Sequence, residues 1–250
     1  TGICEPILPK GYSFDYVNGE VLMKDASVKN GLLTLKSGMQ YRILVLPRIL
    51  TMRPEMLCQI QKLVRAGLVI LGPAPVQSPS LQNYPKADLK VRSIAKEMWN
   101  PDNISSIGYY KYGKGRVYPD GTSLKKVLAD LSVIPDFTSN VGSDSLLFIH
   151  RRQADSEIYF ISNQSSKLLD FNASFRVKSC FPELWNPQTA EIRMLPQYQR
   201  KSQTTEIPMK LQPFESAFII FRNSGRRISR IGAENYPLGR LQMTVSSPWK

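Results

Sequence analysis

The chain has 250 residues, 42% of them hydrophobic, so it can form one large or two ordinary domains with buried cores. No apolar run approaches the roughly 20 residues that a membrane span needs. The net charge of +13 is uneven: +8 over residues 1–135 (18 basic, 10 acidic), zero over 136–221 (9 of each) and +5 over 222–250 (6 basic, 1 acidic).

The clearest local pattern is a strand, a helix and a second strand. Residues 43–46 are an unbroken apolar run, too short for a helix and typical of a strand buried on both faces. Pro54 in a first-turn position and apolar residues at helical spacing then predict a helix, which Gly67 ends. Residues 68–72 predict a second buried strand. This order predicts a parallel crossover unit.

The remaining elements of the first half extend this pattern. Residues 12–35 predict a short hairpin, with a strand at 12–18 and a turn at Asn30-Gly31, and residues 87–99 predict a helix. Gly113 and Gly115 predict a turn that enters a strand, and Ser123 is positioned to cap a further helix. The proline-rich loop 73–86 is long for a compact domain, so it is either functional or packed on something else. Together these predict an open, mostly parallel α/β sheet, flavodoxin-like or amidotransferase-like.

The pattern changes at Pro135-Asp136 to short strands without helices. The predicted strands are separated by turn residues about every ten positions, and they are 146–151, 157–161, 171–177, 190–194, 204–209 and 217–221. This spacing predicts an all-β antiparallel sandwich. We therefore expect three parts: an α/β domain at 1–135, a sandwich at 136–222, and a linker with the start of a further β-domain at 223–250.

The motifs of common catalytic sites are missing. The chain has neither a dinucleotide-binding nor a P-loop glycine motif. Cys58 falls within the predicted helix instead of at a nucleophile elbow. The cysteines, which are Cys4, Cys58 and Cys180, show no metal-ligand or disulfide spacing. The acids considered for a carboxylate pair have no evident partner, and they are Asp15, Glu20, Glu97 and Glu183. We predict no catalytic, cofactor-binding or metal-binding residue.

A few residues remain as candidate sugar or domain contacts. One predicted strand ends in His150, Arg151 and Arg152. His150 is the only histidine in the sequence, and its role is either structural or that of contacting a sugar or an acid. Trp185 lies in a stretch where Pro182, Asn186 and Pro187 predict a rigid turn between strands. Its ring either fills the sandwich core or presents a face on which a sugar could stack.

The basic charge offers a different hypothesis, which is nucleic-acid binding by the +8 segment and the arginines of the tail. The basic residues of the first segment are spread over helices and loops instead of being concentrated with aromatic residues on one face. We therefore expect a solvated basic surface, without nucleic acid as a partner.

An ordered series of motifs resembles the post-barrel region of the family-106 glycoside hydrolases, the α-L-rhamnosidases. The series spans nearly the whole chain and consists of residues 14–18, 41–47, 72–73, 78–81, 113–117, 149–152, 158–163, 183–187 and 218–222. The closing residues 247–249 resemble the entry into a further β-domain of that family. The α/β half also resembles the amidotransferase-like domain that follows the barrel in other glycosidases. Thr1 in place of a methionine fits a piece of a longer protein.

The resemblance implies a large carbohydrate-active enzyme whose catalytic carboxylates, and a calcium ion, lie in a barrel before this chain. It implies a rhamnose-containing glycan as substrate, the rest of the parent polypeptide as partner, and a periplasmic or extracellular bacterial location. We expect this chain to be a non-catalytic ancillary region, inactive by itself. The alternative is a carbohydrate-binding or protein-interaction module without hydrolase activity, using exposed aromatic residues such as Trp185, Tyr109, Tyr110 and Tyr112.

Overall fold

The structure is a computed structural model that describes residues 9–142, 145–178, 181–222 and 233–237. The chain divides into two compact units. The first includes Phe14–Val133, and the second includes Lys10–Ser13 and the described residues from Ile134 onward. None of the helices in the described ranges is long and apolar enough to cross a membrane. The predicted further β-domain, Cys4 and Cys180 lie outside the described residues.

The first unit contains four helices, seven strands and a 3₁₀ turn at Pro101–Asn103 within the described residues. In chain order its elements are α1 (Gly19–Lys24), β1 (Ala26–Lys29), β2 (Leu32–Leu35), β3 (Gln40–Tyr41), β4 (Ile43–Val45), α2 (Pro54–Ala66), β5 (Val69–Leu71), α3 (Lys86–Met98), β6 (Tyr110–Tyr112), β7 (Gly115–Tyr118) and α4 (Leu124–Asp130). They form a three-stranded antiparallel sheet, β1-β2-β3, and a four-stranded sheet in the order β4-β5-β7-β6.

The predicted strand–helix–strand unit is confirmed. Strands β4 and β5 pair in parallel, with Ile43 opposite Val69, and α2 connects them. Helix α2 begins at Pro54, whose fixed φ suits the first turn, and Gly67 follows its last residue with φ +127°. Its apolar face is buried in one core with α3 and the strands. The core side chains at helical spacing are Leu57, Ile60, Leu63 and Val64.

The sheet itself is smaller and more mixed than predicted. It has four short strands: β4–β5 and β5–β7 are parallel pairs, while β6–β7 is antiparallel. A tight turn that includes Gly113 makes β6 and β7 a hairpin, so β6 is an antiparallel edge strand. Most of the strands in the described chain belong to antiparallel sheets, and the flavodoxin-like topology is not confirmed.

The prediction of a strand over residues 12–18 is wrong, because those residues form no regular element. A short helix, α1, follows instead, and the Asn18 side chain caps it by accepting a hydrogen bond from the Val21 N–H at 2.9 Å. The sequence contained this signal, since asparagine is a preferred N-cap residue. The hairpin turn at Asn30-Gly31 is confirmed, and both residues have positive φ, at 52° and 76°.

The second unit is an antiparallel β-sandwich, as predicted. Its strands are β8 (Phe137–Ser139), β9 (Leu146–Arg152), β10 (Ser156–Asn163), β11 (Leu169–Phe175), β12 (Phe181–Trp185), β13 (Ile192–Met194), β14 (Gln199–Arg200), β15 (Thr205–Leu211) and β16 (Ser216–Arg222). One sheet has the order β13-β12-β16-β10-β9 and the other β14-β15-β11-β8. Alternate residues of both sheets fill one core, which contains Tyr159, Phe175 and Phe221.

Strand β12 replaces the first part of the predicted rigid turn. Pro182 argued against a strand, because proline cannot donate to the ladder of hydrogen bonds. In the structure Pro182 lies in β12, which pairs with β13 on one side and with β16 on the other. Its ring is buried, and its carbonyl accepts the Leu195 N–H at 3.0 Å. The turn begins only at Asn186, whose side chain accepts the Gln188 N–H at 2.8 Å.

Residues 233–237 lie within the predicted linker and pack on the sandwich. Asn235 is 2% exposed, and its side chain accepts the Gln197 N–H at 2.9 Å and donates to the carbonyls of Gln197 and Pro208 at 2.8 and 3.1 Å. Arg193 donates to the Asn235 carbonyl at 2.8 Å and lies over the Tyr236 ring at 4.8 Å. This segment is therefore an anchor on the sandwich.

Candidate functional site

His150 lies at the centre of a charged network in the sandwich. It projects inward from β9, where its ring stacks on Tyr159 with centroids 4.1 Å apart and an interplanar angle of 6°. Its Nδ1 lies 3.3 Å from Asp136 Oδ2, and its Nε2 lies 2.8 Å from Glu157 Oε2. Asp136 precedes the first strand of the opposite sheet, and Glu157 is in β10. The network therefore joins the two sheets.

Two arginines complete the network. The Arg176 guanidinium donates to Asp136 Oδ1, with its Nε at 2.8 Å. Arg152 pairs with Glu157 Oε1, with Nη2 at 2.5 Å and Nε at 2.6 Å. Each carboxylate therefore lies between the imidazole and a guanidinium. The order of the network is Arg176, Asp136, His150, Glu157 and Arg152.

The network favours the charged forms of His150, Asp136 and Glu157. Burial by itself would lower the pKa of His150, but hydrogen bonds to Asp136 and Glu157 outweigh it and raise that pKa above its ordinary value. Burial would raise the pKa of Asp136, but hydrogen bonds from His150 and Arg176 lower it. The pKa of Glu157 is lowered in the same way, with His150 and Arg152 overcoming the effect of burial.

This geometry suits a structural cross-link better than proton transfer. Both ring nitrogens of His150 face carboxylates, so neither is available as a general base. A general acid for glycoside hydrolysis needs a raised carboxyl pKa. Asp136 and Glu157 have lowered pKa values instead. Asp136 and Glu157 were not among the predicted contacts. Glu157 is spaced by two and four residues from the core residues Tyr159 and Ile161, so it lies on the same face of β10, and this spacing was the signal for an inward charge.

The other two candidate residues of β9 differ in their contacts. Arg151 is exposed on the opposite face of the strand from His150, and its Nη1 donates to the His150 carbonyl at 2.9 Å. Arg152 is exposed apart from its contact with Glu157. Of the three candidate residues of β9, His150 and Arg152 therefore share Glu157, whereas Arg151 lies on the other face of the strand.

Trp185 lies on the outer face of the five-stranded sheet and not in the core. It is half-buried, and its indole N–H donates to Glu183 Oε2 at 2.9 Å. Arg222 lies over its ring at 5.6 Å and pairs with Glu183 at 3.5 Å. The indole N–H and one area of the ring are therefore already in contact with protein groups.

The aromatic residues of the first unit are similarly engaged. Arg116 lies over the Tyr109 ring at 4.9 Å. The Tyr112 hydroxyl accepts hydrogen bonds from Gln61 at 2.7 Å and Arg65 at 2.8 Å. Tyr110 packs, partly buried, against the core of the first unit. Tyr112 thus joins the β6–β7 hairpin to α2, and the three rings are engaged within the first unit instead of forming an open stacking platform.

The acidic candidates each contact a neighbouring side chain. Asp15 accepts the Tyr41 hydroxyl at 2.8 Å, Glu20 pairs with Lys24 at 2.5 Å, and Glu97 accepts from Gln61 at 2.9 Å. Across the described ranges no group of three or more His, Cys, Asp or Glu residues is arranged to hold a metal ion. Cys58 is a free, partly buried cysteine in α2.

The loops that follow β4 and β5 lie side by side at the carboxyl edge of the parallel strands. The Met52 N–H donates to the Gln77 carbonyl at 3.1 Å, and the Val76 N–H donates to the Leu50 carbonyl at 2.8 Å. The loops expose several large apolar side chains, which are Ile49, Leu50, Val76, Leu81 and Tyr84. A shallow depression of about 270 Å³ lies beside them, and Asp88 at its edge accepts the Ser78 N–H at 3.0 Å. We call this surface the loop surface.

Known proteins share this fold and sequence over only part of their length. A putative β-glucuronidase from Formosa agariphila is 29% identical over 242 residues, covering 93% of this chain and 20% of the relative. The solved rhamnosidase from Novosphingobium sp. PP1Y is 28% identical with a TM-score of 0.79, covering 94% of this chain and 21% of that one. The chain thus spans about a fifth of the length of these relatives.

These similarities first define the class of protein: the chain is part of a glycoside hydrolase family. The α-L-rhamnosidase family model, that of glycoside hydrolase family 106, matches residues 1–200. Because this match covers most of its length, the chain belongs to the α-L-rhamnosidase family.

Proposed function

We propose that the chain is a non-catalytic ancillary region of an α-L-rhamnosidase-like glycoside hydrolase, supporting a carbohydrate-cleaving barrel that lies outside these 250 residues. One observation carries the proposal: residues 1–200 match the family, yet the chain corresponds to about a fifth of each relative. The parent enzyme's substrate is then a rhamnose-containing glycan. Calcium in the barrel and a periplasmic or extracellular bacterial location belong to the same proposal.

The chemistry of the described residues supports an ancillary role. Hydrolysis by paired carboxylates requires one acid that protonates the leaving oxygen and one base or nucleophile, on opposite sides of a sugar. Asp136 and Glu157 are instead held ionised around His150. Glu183 is occupied by Trp185 and Arg222. These acids hold the sandwich together, which is the work of a scaffold.

The first unit supplies the contact with the barrel in this proposal. We infer that its small sheet is a shortened amidotransferase-like scaffold, and that the loop surface packs on the barrel. The paired loops support this inference, because their hydrogen bonds hold Leu50 and Val76 in a defined position while leaving both side chains exposed. Leu81, at 83% exposed, would gain most from being covered.

The alternative of an independent sugar-binding module has less support. A sugar ring stacks on an open aromatic face and hydrogen-bonds to nearby polar groups. Arg222 lies over Trp185, and Glu183 already accepts the indole N–H and pairs with Arg222.

An activity assay tests the proposed function. The 250-residue chain, incubated with 4-nitrophenyl α-L-rhamnopyranoside, is expected to release no nitrophenol above the uncatalysed rate, while the parent polypeptide turns the substrate over. Calorimetric titration of the chain with a rhamnose-containing polysaccharide, with Trp185→Ala as control, is expected to show no binding. Turnover by the chain alone, comparable to that of the parent, would place the catalytic site here and overturn the proposal.

A further inference from the structure

The outer face of the five-stranded sheet carries an unbroken row of large apolar side chains. Directly paired residues of antiparallel strands point to the same face. The pairings Ile192–Trp185, Trp185–Phe218, Phe218–Phe160 and Phe160–Ile149 therefore align one side chain from each strand. With strands about 4.8 Å apart, the row is roughly 19 Å long. We call these five residues the apolar row.

The row faces away from the sandwich core. The core residues of the same strands occupy the alternate positions, whose side chains point to the other face of the sheet, and they include Leu184, Ile219 and Ile161. At the two ends of the row Ile149 and Ile192 are 53% and 56% exposed. The three central rings are partly buried, and Phe218 and Phe160 pack at a centroid distance of 4.9 Å. Leu147 and Ile158 extend the apolar surface beside the row.

The other sheet of the same sandwich provides an internal comparison. Its outer face carries polar side chains at most of the equivalent positions, including an ion pair between Asp170 and Lys210 at 2.9 Å, with Asn172 and Ser174 on the same strand. An antiparallel sheet with one solvated face normally alternates apolar-in with polar-out residues. One outer face follows that rule, whereas the other departs from it along the row and carries polar residues beside it, such as Arg151, Ser162 and Glu183. The apolar face therefore has the composition of a covered surface.

The chemistry of the row favours a protein partner over a sugar. Its most exposed members are the aliphatic Ile149 and Ile192, which offer no hydrogen bonds, and the rings of Phe218 and Phe160 are tilted by 54° instead of forming a flat platform. The acid beside the row, Glu183, is occupied by Trp185 and Arg222. A contiguous apolar patch with few free polar groups is typical of an obligate protein contact.

We propose that the apolar row is a docking surface for the portion of the parent polypeptide outside these 250 residues, separate from the loop surface of the first unit. The occupant follows from the length of the relatives, about four-fifths of which lies beyond the matched region. The inference rests on the proposed function, since it takes the chain to be part of such a parent. It adds to the contact proposed for the loop surface a second apolar contact with the parent, made by the sandwich.

Hydrogen–deuterium exchange on the chain alone and on the parent tests the row. We expect the amides of residues 146–163 to exchange about tenfold more slowly in the parent, because a covered face suppresses local opening. The double variant Ile149→Asp/Ile192→Asp should remove that difference in the parent while leaving the chain alone unchanged. Leu168→Asp is the matched control, since Leu168 is an equally exposed aliphatic residue, at 53%, outside the row, and it should keep the slow exchange.

The other outcomes separate the alternative occupants. Equal exchange in parent and chain would overturn the proposal, as would a double variant without effect. If the chain dimerises in sedimentation velocity and the double variant abolishes the dimer, the row contacts a second copy of the chain. If adding a rhamnose-containing polysaccharide slows exchange in the chain, the row contacts a glycan. Either result would overturn the proposal. If the aspartates unfold the chain, Ile149→Thr/Ile192→Thr replaces them with side chains suited to strands. Hydrolysis by the parent is measured separately, so failure of the row and failure of the proposed function give different results.

Discussion

At the scale of single residues, His150 shows how an isolated polar residue acquires a role. In the sequence it is one histidine beside two arginines. In the structure its ring lies between Asp136 and Glu157 and stacks on Tyr159, with Arg152 and Arg176 at the ends of the network. Burying a single imidazolium would be costly, and the two flanking carboxylates offset that cost, so that removing one partner leaves the others buried without compensation. The residue therefore stabilises the fold, and the groups that explain it come from three separate segments.

The first prediction concerns pH. The pKa of His150 is raised above the ordinary 6.5, so its stabilisation is complete below about pH 6.5 and is lost as the pH rises through the raised value. The pKa values of Asp136 and Glu157 are lowered, so their stabilisation is lost only as the pH falls through those lowered values. We expect the free energy of unfolding in urea to be greatest between about pH 5 and 6.5.

Substitution of the histidine should identify the group responsible. His150→Gln is expected to lower the free energy of unfolding at pH 6 by about 3 kcal/mol, because two buried carboxylates lose a charged donor. It should also flatten the decline in stability above pH 6.5. Arg151→Gln, on the exposed face of the same strand, serves as the control and should leave both unchanged. A decline of unchanged slope in the His150→Gln variant would contradict the assignment.

At the scale of elements, α2 and the β6–β7 hairpin pack so closely that glycine is required between them. A Cβ on Gly115 would lie inside contact distance of the backbone oxygens of Val64, in the last turn of α2, and Leu68. Gly113 meets the backbone of Arg65 in the same way, and its φ is +58°. The two glycines were recognised in the sequence only as a turn entering a strand. The second reason for glycine at these two positions is their close contact with the end of α2, and that contact depends on the packing.

The second prediction follows from this contact. Gly115→Ala should lower the free energy of unfolding by about 2–3 kcal/mol, because backbone atoms cannot move aside as a flexible side chain can. Gly142→Ala is the matched control, since a Cβ there meets nothing within 4 Å. Urea unfolding of the two variants measures the difference. Equal stabilities would show that the helix end can shift without cost.

At the scale of the whole molecule, each of the two units buries its own core, and each also exposes one contiguous apolar surface besides scattered exposed residues such as Tyr16, Leu89 and Phe214. The loop surface lies in the first unit and the apolar row in the second. Isolated exposed apolar residues are normal in proteins, but contiguous ones mark contacts. This distribution agrees with a chain that corresponds to about a fifth of its relatives.

The third prediction concerns the anchor at residues 233–237. Asn235→Ala should lower the free energy of unfolding by about 1–3 kcal/mol, because it leaves the Gln197 N–H and the Pro208 carbonyl without their buried partner. Glu234→Ala changes an exposed neighbour and should have no effect. Thermal unfolding followed by circular dichroism compares the two. An unchanged midpoint for Asn235→Ala would contradict a stabilising role for the anchor.

The sequence by itself determined the features that depend on neighbouring residues. Helix α2 between its proline and its glycine, the Asn30-Gly31 hairpin turn and the alternating strands of the sandwich were all predicted, because each is specified within about fifteen residues. Strand β12 was missed because the local signal of Pro182 favours a turn, and pairing on both sides outweighs it.

Only the tertiary structure decided which distant residues meet. The sheet order β13-β12-β16-β10-β9 brings Ile192 and Ile149 into one row, and the same non-local pairing brings Asp136 to His150. A local turn can set the register of a hairpin. The order of strands that are distant in sequence depends on the free energy of the whole packed sheet, so no local pattern encodes it. The charged network and the apolar row were therefore absent from the sequence-based predictions, whereas the family was evident from the order of short motifs along the chain.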